Sequence, residues 1–326
     1  MEDVLKNQDR SISYYREDPH WSKTLYVCGL PRSGKSTLKS ILGSCELVES
    51  LEEPFDLTLL AQKGSCFPSN TNMYQSYLDS FMASMENSFS ELSMGRNYNF
   101  REQDKSYIYN IKSKQQVNDA HEISRRRDLL HLNADKSKVF LIVFNDVEIS
   151  LNLITEKVPN PTIIFLNRDP FRVAQEIATK GWLSDTNLSS QADLTPAYNL
   201  IRSSGNRVIY VPHLVDEQNV DLFLSLDNEN RSILYAYLQE KLFRSTLANI
   251  TKPILEIMFD DLMGKTRKIA NQLFDSLDLK PTDITEKNIR LLEEQKEPIF
   301  SNGGFRIDRG LAGYLSTLGV SLNEEY

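Results

Sequence analysis

Cysteine, tryptophan and histidine are scarce in this sequence of 326 residues, which holds three, two and four of them respectively. An odd number of cysteines without C-x-x-C spacing indicates neither a disulfide framework nor a thiolate metal site. The histidines are isolated from one another, and no cluster of His, Cys and Asp has the spacing of metal ligands, so the sequence predicts no protein-bound metal. This cysteine usage is typical of a reduced compartment, and we expect a cytoplasmic location.

The sequence also lacks an excess of basic residues and any long apolar run. Its 37 lysines and arginines stand against 45 acidic residues, a formal charge of -8, whereas nucleic-acid-binding proteins usually present a basic face. No run of about 18 apolar residues occurs, and the first ten residues lack a basic and then apolar leader. We therefore expect neither nucleic acid nor a membrane as a partner, and an anionic ligand would need a local group of cations.

One stretch combines a strand signal, a glycine-containing loop and a helix signal. The apolar, β-prone residues 25–28 precede GLPRSGKST at residues 29–37, and Leu38, Ile41 and Leu42 follow at helical spacing. The G-x-x-x-x-G-K-[ST] pattern in this context predicts a phosphate-binding loop. Its successive backbone N–H groups and the positive end of the helix dipole would hold one anionic group.

Short apolar segments alternate with helical patterns along the rest of the chain. The strand signals lie at residues 46–48, 139–144, 162–166, 208–211 and 254–259, and the clearest helical patterns lie at residues 74–89 and 231–247. Such alternation predicts an α/β fold of three layers, α/β/α, around a central parallel sheet, of the P-loop nucleotide-binding type.

The composition shows no internal repeat and no low-complexity linker. We expect an N-terminal lead-in at residues 1–23 and a single domain over residues 24–326. The weakly patterned segment at about 65–138 would form a helical cover over the site.

The loop resembles that of a known enzyme family. PRSGKSTL at residues 31–38 is similar to the P-[KR]-S-G-T-T-[LW] loop of the sulfotransferases, which holds the 5′-phosphosulfate of the donor 3′-phosphoadenosine 5′-phosphosulfate (PAPS). The family has a threonine where this chain has Lys35, so the loop satisfies both the sulfotransferase and the P-loop kinase patterns. The resemblance implies donor contacts from Arg32, Ser33, Gly34, Lys35, Ser36 and Thr37.

A second resemblance lies at NPTIIFLNRDP, residues 160–170, which is similar to the sulfotransferase strand that ends in R-D-P. The arginine of that motif binds the 3′-phosphate of PAPS, which implies the same role for Arg168. Eight residues later, Glu176 stands where the family has a serine that also contacts the 3′-phosphate. A carboxylate close to a phosphate is unfavourable.

A third resemblance lies near the C-terminus, where DRGLAGY at residues 308–314 is similar to the family's R-K-G-x-x-G loop. That loop closes over the 3′-phosphate. The resemblance implies donor contacts from Arg309 and from the N–H group of Gly310.

Sulfuryl transfer also needs a base for the acceptor hydroxyl and cations that stabilise the developing charge. Arg32 and Lys35 would supply the cationic catalytic groups. Glu53 is the candidate base, because Glu52 and Glu53 resemble the acidic residue found here in tyrosylprotein and carbohydrate sulfotransferases. The cytosolic small-molecule sulfotransferases use a histidine after another strand, and at that place this chain offers Asp146 as a second candidate.

The sequence thus predicts a PAPS-dependent sulfotransferase that acts on a hydroxyl of a carbohydrate, a tyrosyl group or a small molecule. One alternative is a P-loop kinase that uses ATP and Mg²⁺, with Lys35 on the phosphates and Ser36 and Asp146 near the metal. Lys35 and Glu176 favour this alternative, whereas the R-D-P segment and the Arg309 loop favour the sulfotransferase. Another alternative is a non-catalytic relative that keeps the fold as a binding protein, and Glu176 would be its signature.

Overall fold

The structure is a computed structural model. It describes residues 22–52, 54–89, 98–105, 107–125, 137–145, 147, 150–189, 198–204, 207–295 and 306–320. The predicted lead-in lies outside the described residues, apart from Ser22 and Lys23.

A parallel sheet of five strands forms the centre of the fold. The described strands are β1 (Lys23–Cys28), β2 (Val48–Glu52), β3 (Val139–Val143), β4 (Pro161–Asn167), β5 (Tyr198–Ser204), β6 (Arg207–Pro212) and β7 (Ile254–Met258). The order in the central sheet is β2-β3-β1-β4-β7. Because β1 lies between β3 and β4, the loop that follows it emerges at the middle of the sheet's carboxyl edge. The predicted α/β class with a central parallel sheet is confirmed.

The strand predicted at residues 208–211 is not part of the central sheet. It belongs to β6, which pairs antiparallel with β5 in a separate two-stranded sheet, with Ile201 opposite Tyr210. The predicted central parallel sheet therefore does not include this strand. Only residues 205 and 206 separate β5 from β6, and so short a connection permits antiparallel pairing alone, because parallel pairing needs a crossover of about a dozen residues.

Helices cover the sheet. They are α1 (Lys35–Leu42), α2 (Phe55–Ser65), α3 (Asn72–Ser88), α4 (Lys114–Arg125), α5 (Leu151–Glu156), α6 (Pro170–Thr179), α7 (Asp185–Leu188), α8 (Val220–Ser225), α9 (Asn228–Leu247), α10 (Phe259–Gly264), α11 (Thr266–Leu277), α12 (Asp283–Glu294) and α13 (Arg309–Thr317). Two 3-10 turns lie at Ile108–Asn110 and Glu217–Asn219. None of the helices in the described ranges combines the length and the apolar character that crossing a bilayer would need.

The side chains of β1 show how the two faces of the sheet are buried. Tyr26 and Cys28 belong to the apolar cluster that includes residues of α3 and α9. Leu25 and Val27 belong to a second cluster, which includes residues of α1, α11 and α12. Successive side chains of a strand point to opposite faces, so β1 is apolar throughout because helices pack on both sides of it. This burial fixes the strand end from which the loop begins.

Candidate functional site

Two glycines shape the loop between β1 and α1. Gly29 has a φ of 146° and Gly34 a φ of 91°, a region that side-chain-bearing residues rarely adopt. A Cβ on Gly29 would lie 2.3 Å from the carbonyl oxygen of Leu166, and a Cβ on Gly34 would lie 2.4 Å from a ring carbon of Phe259. The backbone of the loop is therefore pressed against the ends of β4 and β7.

Lys35 places a positive charge inside the loop. Its Nζ donates hydrogen bonds to the carbonyl oxygens of Gly29 at 3.0 Å and Leu30 at 2.7 Å. The side chain is buried, as are those of Ser33 and Thr37. Within the described part of the chain, the Oγ of Ser33 has no hydrogen-bond partner. A buried hydroxyl without a partner is costly, so this atom is suited to contact an anion in the loop.

Arg168 lies at the rim of the same loop. It directly follows β4, whose pairing with β1 brings the carboxyl ends of the two strands together. Its Nη1 donates to the carbonyl oxygen of Arg32 at 2.6 Å. Its guanidinium carbon lies 4.3 Å from the centroid of the Phe259 ring, the ring that packs against Gly34. The structure thus brings the predicted arginine to the predicted loop, with only 5% of its surface exposed.

Glu176 lies between two arginines of the site. Its Oε2 accepts from the Nε of Arg32 at 2.8 Å, and its Oε1 accepts from the Nη1 of Arg168 at 2.6 Å. The carboxylate is held on α6, which begins behind the Asp169 cap at the end of β4. The sequence indicated that a carboxylate at position 176 would be unfavourable beside a phosphate. It did not reveal that Glu176 pairs with both arginines, because this pairing depends on the path of α6.

A second carboxylate contacts the first turns of α1. Glu52, the last residue of β2, accepts a hydrogen bond from the Oγ of Ser36 and pairs with the Nζ of Lys39 at 3.2 Å. The side chains of Lys39 and Glu52 are only 5% and 11% exposed. Sequence reasoning did not identify Lys39. The sequence did contain a signal for it: Lys39 lies four residues after Lys35, and residues four apart share a helix face.

The two candidate bases, Glu53 and Asp146, lie outside the described residues. Glu53 directly follows β2, and Asp146 comes shortly after β3. The strands β2 and β3 are parallel neighbours, with Glu52 opposite Val143. Both candidates therefore follow strands that end at the edge of the sheet that carries the loop.

The predicted contacts at Arg309 and Gly310 belong to the start of α13. The N–H of Gly310 donates to the Oδ1 of Asp308 at 2.7 Å, so this N–H caps its own helix. The segment is attached to α9, because the N–H of Asp308 donates to the Oδ1 of Asn230 at 2.9 Å. Arg309 is exposed, and among the described residues no ion pair or hydrogen bond joins its side chain to the loop. Its predicted contact with a donor stays a prediction.

Sulfotransferases are among the solved structures that resemble this chain. One is the sulfotransferase domain of an olefin synthase from Synechococcus PCC 7002, with 11% identity, a TM-score of 0.39, and coverage of 95% of this chain and 98% of that one. A sulfotransferase domain from the curacin biosynthetic pathway has 11% identity, a TM-score of 0.42 and coverage of 95% of both chains. A sulfotransferase from Mycobacterium avium has 13% identity, a TM-score of 0.42, and coverage of 94% of this chain and 79% of that one.

No family model matches the chain, and no curated protein matches it either.

The described site combines three cations around one loop. Lys35 lies inside it, Arg32 forms part of it, and Arg168 closes its rim. The α1 helix begins at Lys35, and its N-cap residue Gly34 makes no side-chain cap, so the positive end of the helix dipole also points into the loop. Such an arrangement can bind an anionic group and stabilise negative charge that develops on it.

Proposed function

We propose that this protein is a PAPS-dependent sulfotransferase that moves a sulfuryl group to an acceptor hydroxyl. The observation that carries the proposal is the position of Arg168, a nearly buried guanidinium fixed at the rim of a phosphate-type loop that already contains Lys35. Arg168 thus adds a second cation beside that of Lys35. A donor with anionic groups at both its 5′ and 3′ positions uses both cations.

The loop residues would hold the 5′-phosphosulfate. Lys35 would meet the phosphosulfate oxygens, the unpartnered hydroxyl of Ser33 would donate to one of them, and Arg32 would lie beside them. Negative charge develops on the leaving phosphate as the bond from sulfur to the bridging oxygen breaks, and fixed cations stabilise that charge. The 3′-phosphate would lie toward Arg168 and Arg309.

Glu53 is the proposed base. Glu52 already accepts from Ser36 and Lys39 through its two oxygens, so it serves as a counter-ion to a buried ammonium. Glu53 follows at the same strand end and would accept the proton of the acceptor hydroxyl.

The acceptor would be a hydroxyl of a carbohydrate, a tyrosyl group or a small molecule. Glu53 favours the first two, because the family's small-molecule enzymes use a histidine at another strand end. The helices α3 and α4 belong to the segment expected to shape the acceptor side, and we propose that the reaction takes place in the cytoplasm.

One observation favours a second candidate, a P-loop kinase. The hydroxyl of Ser36 next to the carboxylate of Glu52, directly after Lys35, is a pair of groups that could support a Mg²⁺ ion bound to ATP. Phosphoryl transfer from ATP is therefore the competing reaction in the test.

Calorimetric titration separates the two functions. The product nucleotide adenosine 3′,5′-bisphosphate (PAP) and, separately, ATP with Mg²⁺ are titrated into the protein in the same buffer. The sulfotransferase predicts binding of PAP that is unchanged by EDTA. Stronger binding of ATP with Mg²⁺, together with no transfer of ³⁵S from labelled PAPS to hydroxyl acceptors, would favour the kinase.

Replacement of the proposed base gives a second test. Glu53→Gln should lower the rate of sulfuryl transfer by about 100-fold or more, the contribution typical of a general base, and leave the affinity for PAP nearly unchanged. Asp56→Asn, a loss of the same charge from an exposed residue in the first turn of α2, is the matched control. Equal rates for the two variants would exclude Glu53 as the base.

A further inference from the structure

The pairing of Glu176 with both arginines bears on which donors the site can use. We propose that Glu176 is a specificity-determining residue that removes most of the advantage of a 3′-phosphate, so that adenosine 5′-phosphosulfate serves as a donor alongside PAPS. This inference rests on the proposed sulfotransferase function and extends its donor class.

The first step is the charge around Arg168. Both oxygens of the Glu176 carboxylate are used, one by Arg168 at 2.6 Å and the other by Arg32 at 2.8 Å. Short bonds between ionised partners are the strongest hydrogen bonds in proteins. The protein's own carboxylate therefore already supplies Arg168 with an anionic partner, in the role that a substrate phosphate would otherwise fill.

The second step is the cost of bringing another anion to Arg168. A phosphate in contact with this guanidinium would lie within a few ångströms of the Glu176 carboxylate, and like charges at that distance repel strongly where water is partly excluded. The side chains of Arg168 and Glu176 are 5% and 17% exposed. Water therefore screens this repulsion poorly.

The third step is that Glu176 cannot move away from Arg32 and Arg168 without losing stabilising hydrogen bonds. Its neighbours on α6, Val173 and Ile177, are fully buried in the apolar cluster, so the helix is fixed. A rotation of the side chain alone would break both charge-assisted bonds and leave two arginines without this carboxylate. The gain from the 3′-phosphate is thus offset by the loss of the pairing already present.

The 5′ end of the donor incurs this cost to a lesser degree. Arg32, the cation of that end which pairs with Glu176, is 44% exposed against 5% for Arg168, so water screens the repulsion more strongly there. Lys35 contacts the carbonyl groups of Gly29 and Leu30, and the loop N–H groups are neutral donors. Glu176 should therefore penalise the 3′-phosphate more than the 5′-phosphosulfate, and a nucleotide with a free 3′-hydroxyl should bind almost as well as its 3′-phosphorylated form.

The chemistry of transfer is the same for both donors. The acceptor oxygen forms a bond to the sulfuryl sulfur while the bond from sulfur to the bridging phosphate oxygen breaks. The acceptor proton passes to the base, and the nucleotide leaves with the electron pair of the broken bond, as AMP from adenosine 5′-phosphosulfate and as PAP from PAPS. The 3′-phosphate takes no part in these steps, so its loss changes binding and not the reaction.

The test compares AMP with PAP, which differ only by the 3′-phosphate, in calorimetric titrations of the full chain. The wild-type dissociation constants should lie within about tenfold of each other, a small difference in binding free energy. Glu176→Gln should tighten PAP binding by about tenfold or more and change AMP binding by less than about threefold. With ³⁵S-labelled donors, wild type should transfer the sulfuryl group from both adenosine 5′-phosphosulfate and PAPS.

Asp260→Asn is the matched control. It removes one negative charge from an exposed pair with Arg172, at 3.5 Å, outside the described contacts of Glu176, and it should leave the ratio of the AMP and PAP dissociation constants unchanged. Thermal unfolding of each variant shows whether it is folded. If Glu176→Gln does not fold, Glu176→Ser replaces it. The ratio of the AMP and PAP dissociation constants of the wild type tests the inference without any variant.

A wild-type preference for PAP above about 100-fold, or equal tightening of both nucleotides in the Glu176 variant, would overturn the inference and leave the proposed function in place. Binding of neither nucleotide would overturn both. Comparable binding of the two nucleotides without sulfuryl transfer from either donor would overturn the proposed function and, with it, the extension of its donor class.

Discussion

The pair between Lys39 and Glu52 is buried, and its loss should measurably lower the free energy of unfolding. The side chains are 5% and 11% exposed, and the Nζ of Lys39 lies 3.2 Å from the Oε2 of Glu52. Removing one member of a buried pair costs about 3–5 kcal/mol, because the charge that remains buried loses that counter-charge. We expect Glu52→Gln to lower the free energy of unfolding by about 3 kcal/mol, the low end of that range, because the carboxylate keeps some contact with water.

The double variant isolates the electrostatic part of this loss. Lys39→Met together with Glu52→Gln removes both charges and keeps the volume of the lysine, and neutral replacements of buried pairs are often well tolerated. The double variant should therefore lie within about 1 kcal/mol of wild type. Urea unfolding at constant pH, followed by circular dichroism, measures both values if the dependence on urea concentration keeps the same slope.

Asp260→Asn is the control here too, because it breaks an ion pair whose members, Arg172 and Asp260, are 41% and 55% exposed. Exposed pairs contribute about 0–1 kcal/mol. If Glu52→Gln costs no more than Asp260→Asn, or if the double variant is as unstable as the single one, the charge pairing of Lys39 with Glu52 does not account for the stability and the reasoning is refuted.

Two further predictions concern titratable groups outside the loop. Burial raises the pKa of Glu240 above its ordinary value, although Arg244 lowers it in part. Its ionisation therefore opposes folding above the folded-state pKa and has no effect below the unfolded value, so Glu240→Gln should raise stability at about pH 7 and lose this advantage near pH 3 in urea unfolding. Burial also raises the pKa of the Cys45 thiol to about 12. A disulfide reagent should modify exposed Cys66 at once, whereas Cys45 and the equally buried Cys28 should react only after unfolding; rapid labelling of all three in native protein would contradict this.

The part of the fold that the sequence predicted best is the part encoded locally. The pattern from residue 25 to residue 42 contains its own strand, turn glycines and helix, and the structure has all three in place as β1, the loop and α1. The pairing of β6 with β5 was not predicted, because the segment that forms β5 contains Asn199, Arg202 and two serines and has no apolar run. Its strand conformation depends on β6 beside it.

The same distinction between locally encoded features and contacts between elements applies to the candidate site. The position of Arg168 could be predicted, because a residue that directly follows a strand of a parallel sheet lies at the ligand-binding edge. The bonds of Glu176 to two arginines and of Glu52 to Lys39 could not, because they depend on how α6 and β2 lie against the loop. The spacing of residues in the sequence shows the periodicity within one helix or strand. It does not show how close two elements lie when they are far apart in the chain.

These unpredicted contacts change how binding at the site should be understood. Lys35 donates to loop carbonyls, Arg168 to Glu176 and Lys39 to Glu52, so each of these cations already has a protein acceptor. A ligand anion must take over some of these partners, and its affinity is the difference between the bonds made and the bonds given up. Removing a donor such as Arg168 should then weaken binding of PAP, and removing an acceptor such as Glu176 should strengthen it. Loss of Arg168 and loss of Glu176 should therefore change the affinity for PAP in opposite directions. Simple destabilisation of the fold would instead weaken PAP binding in both variants.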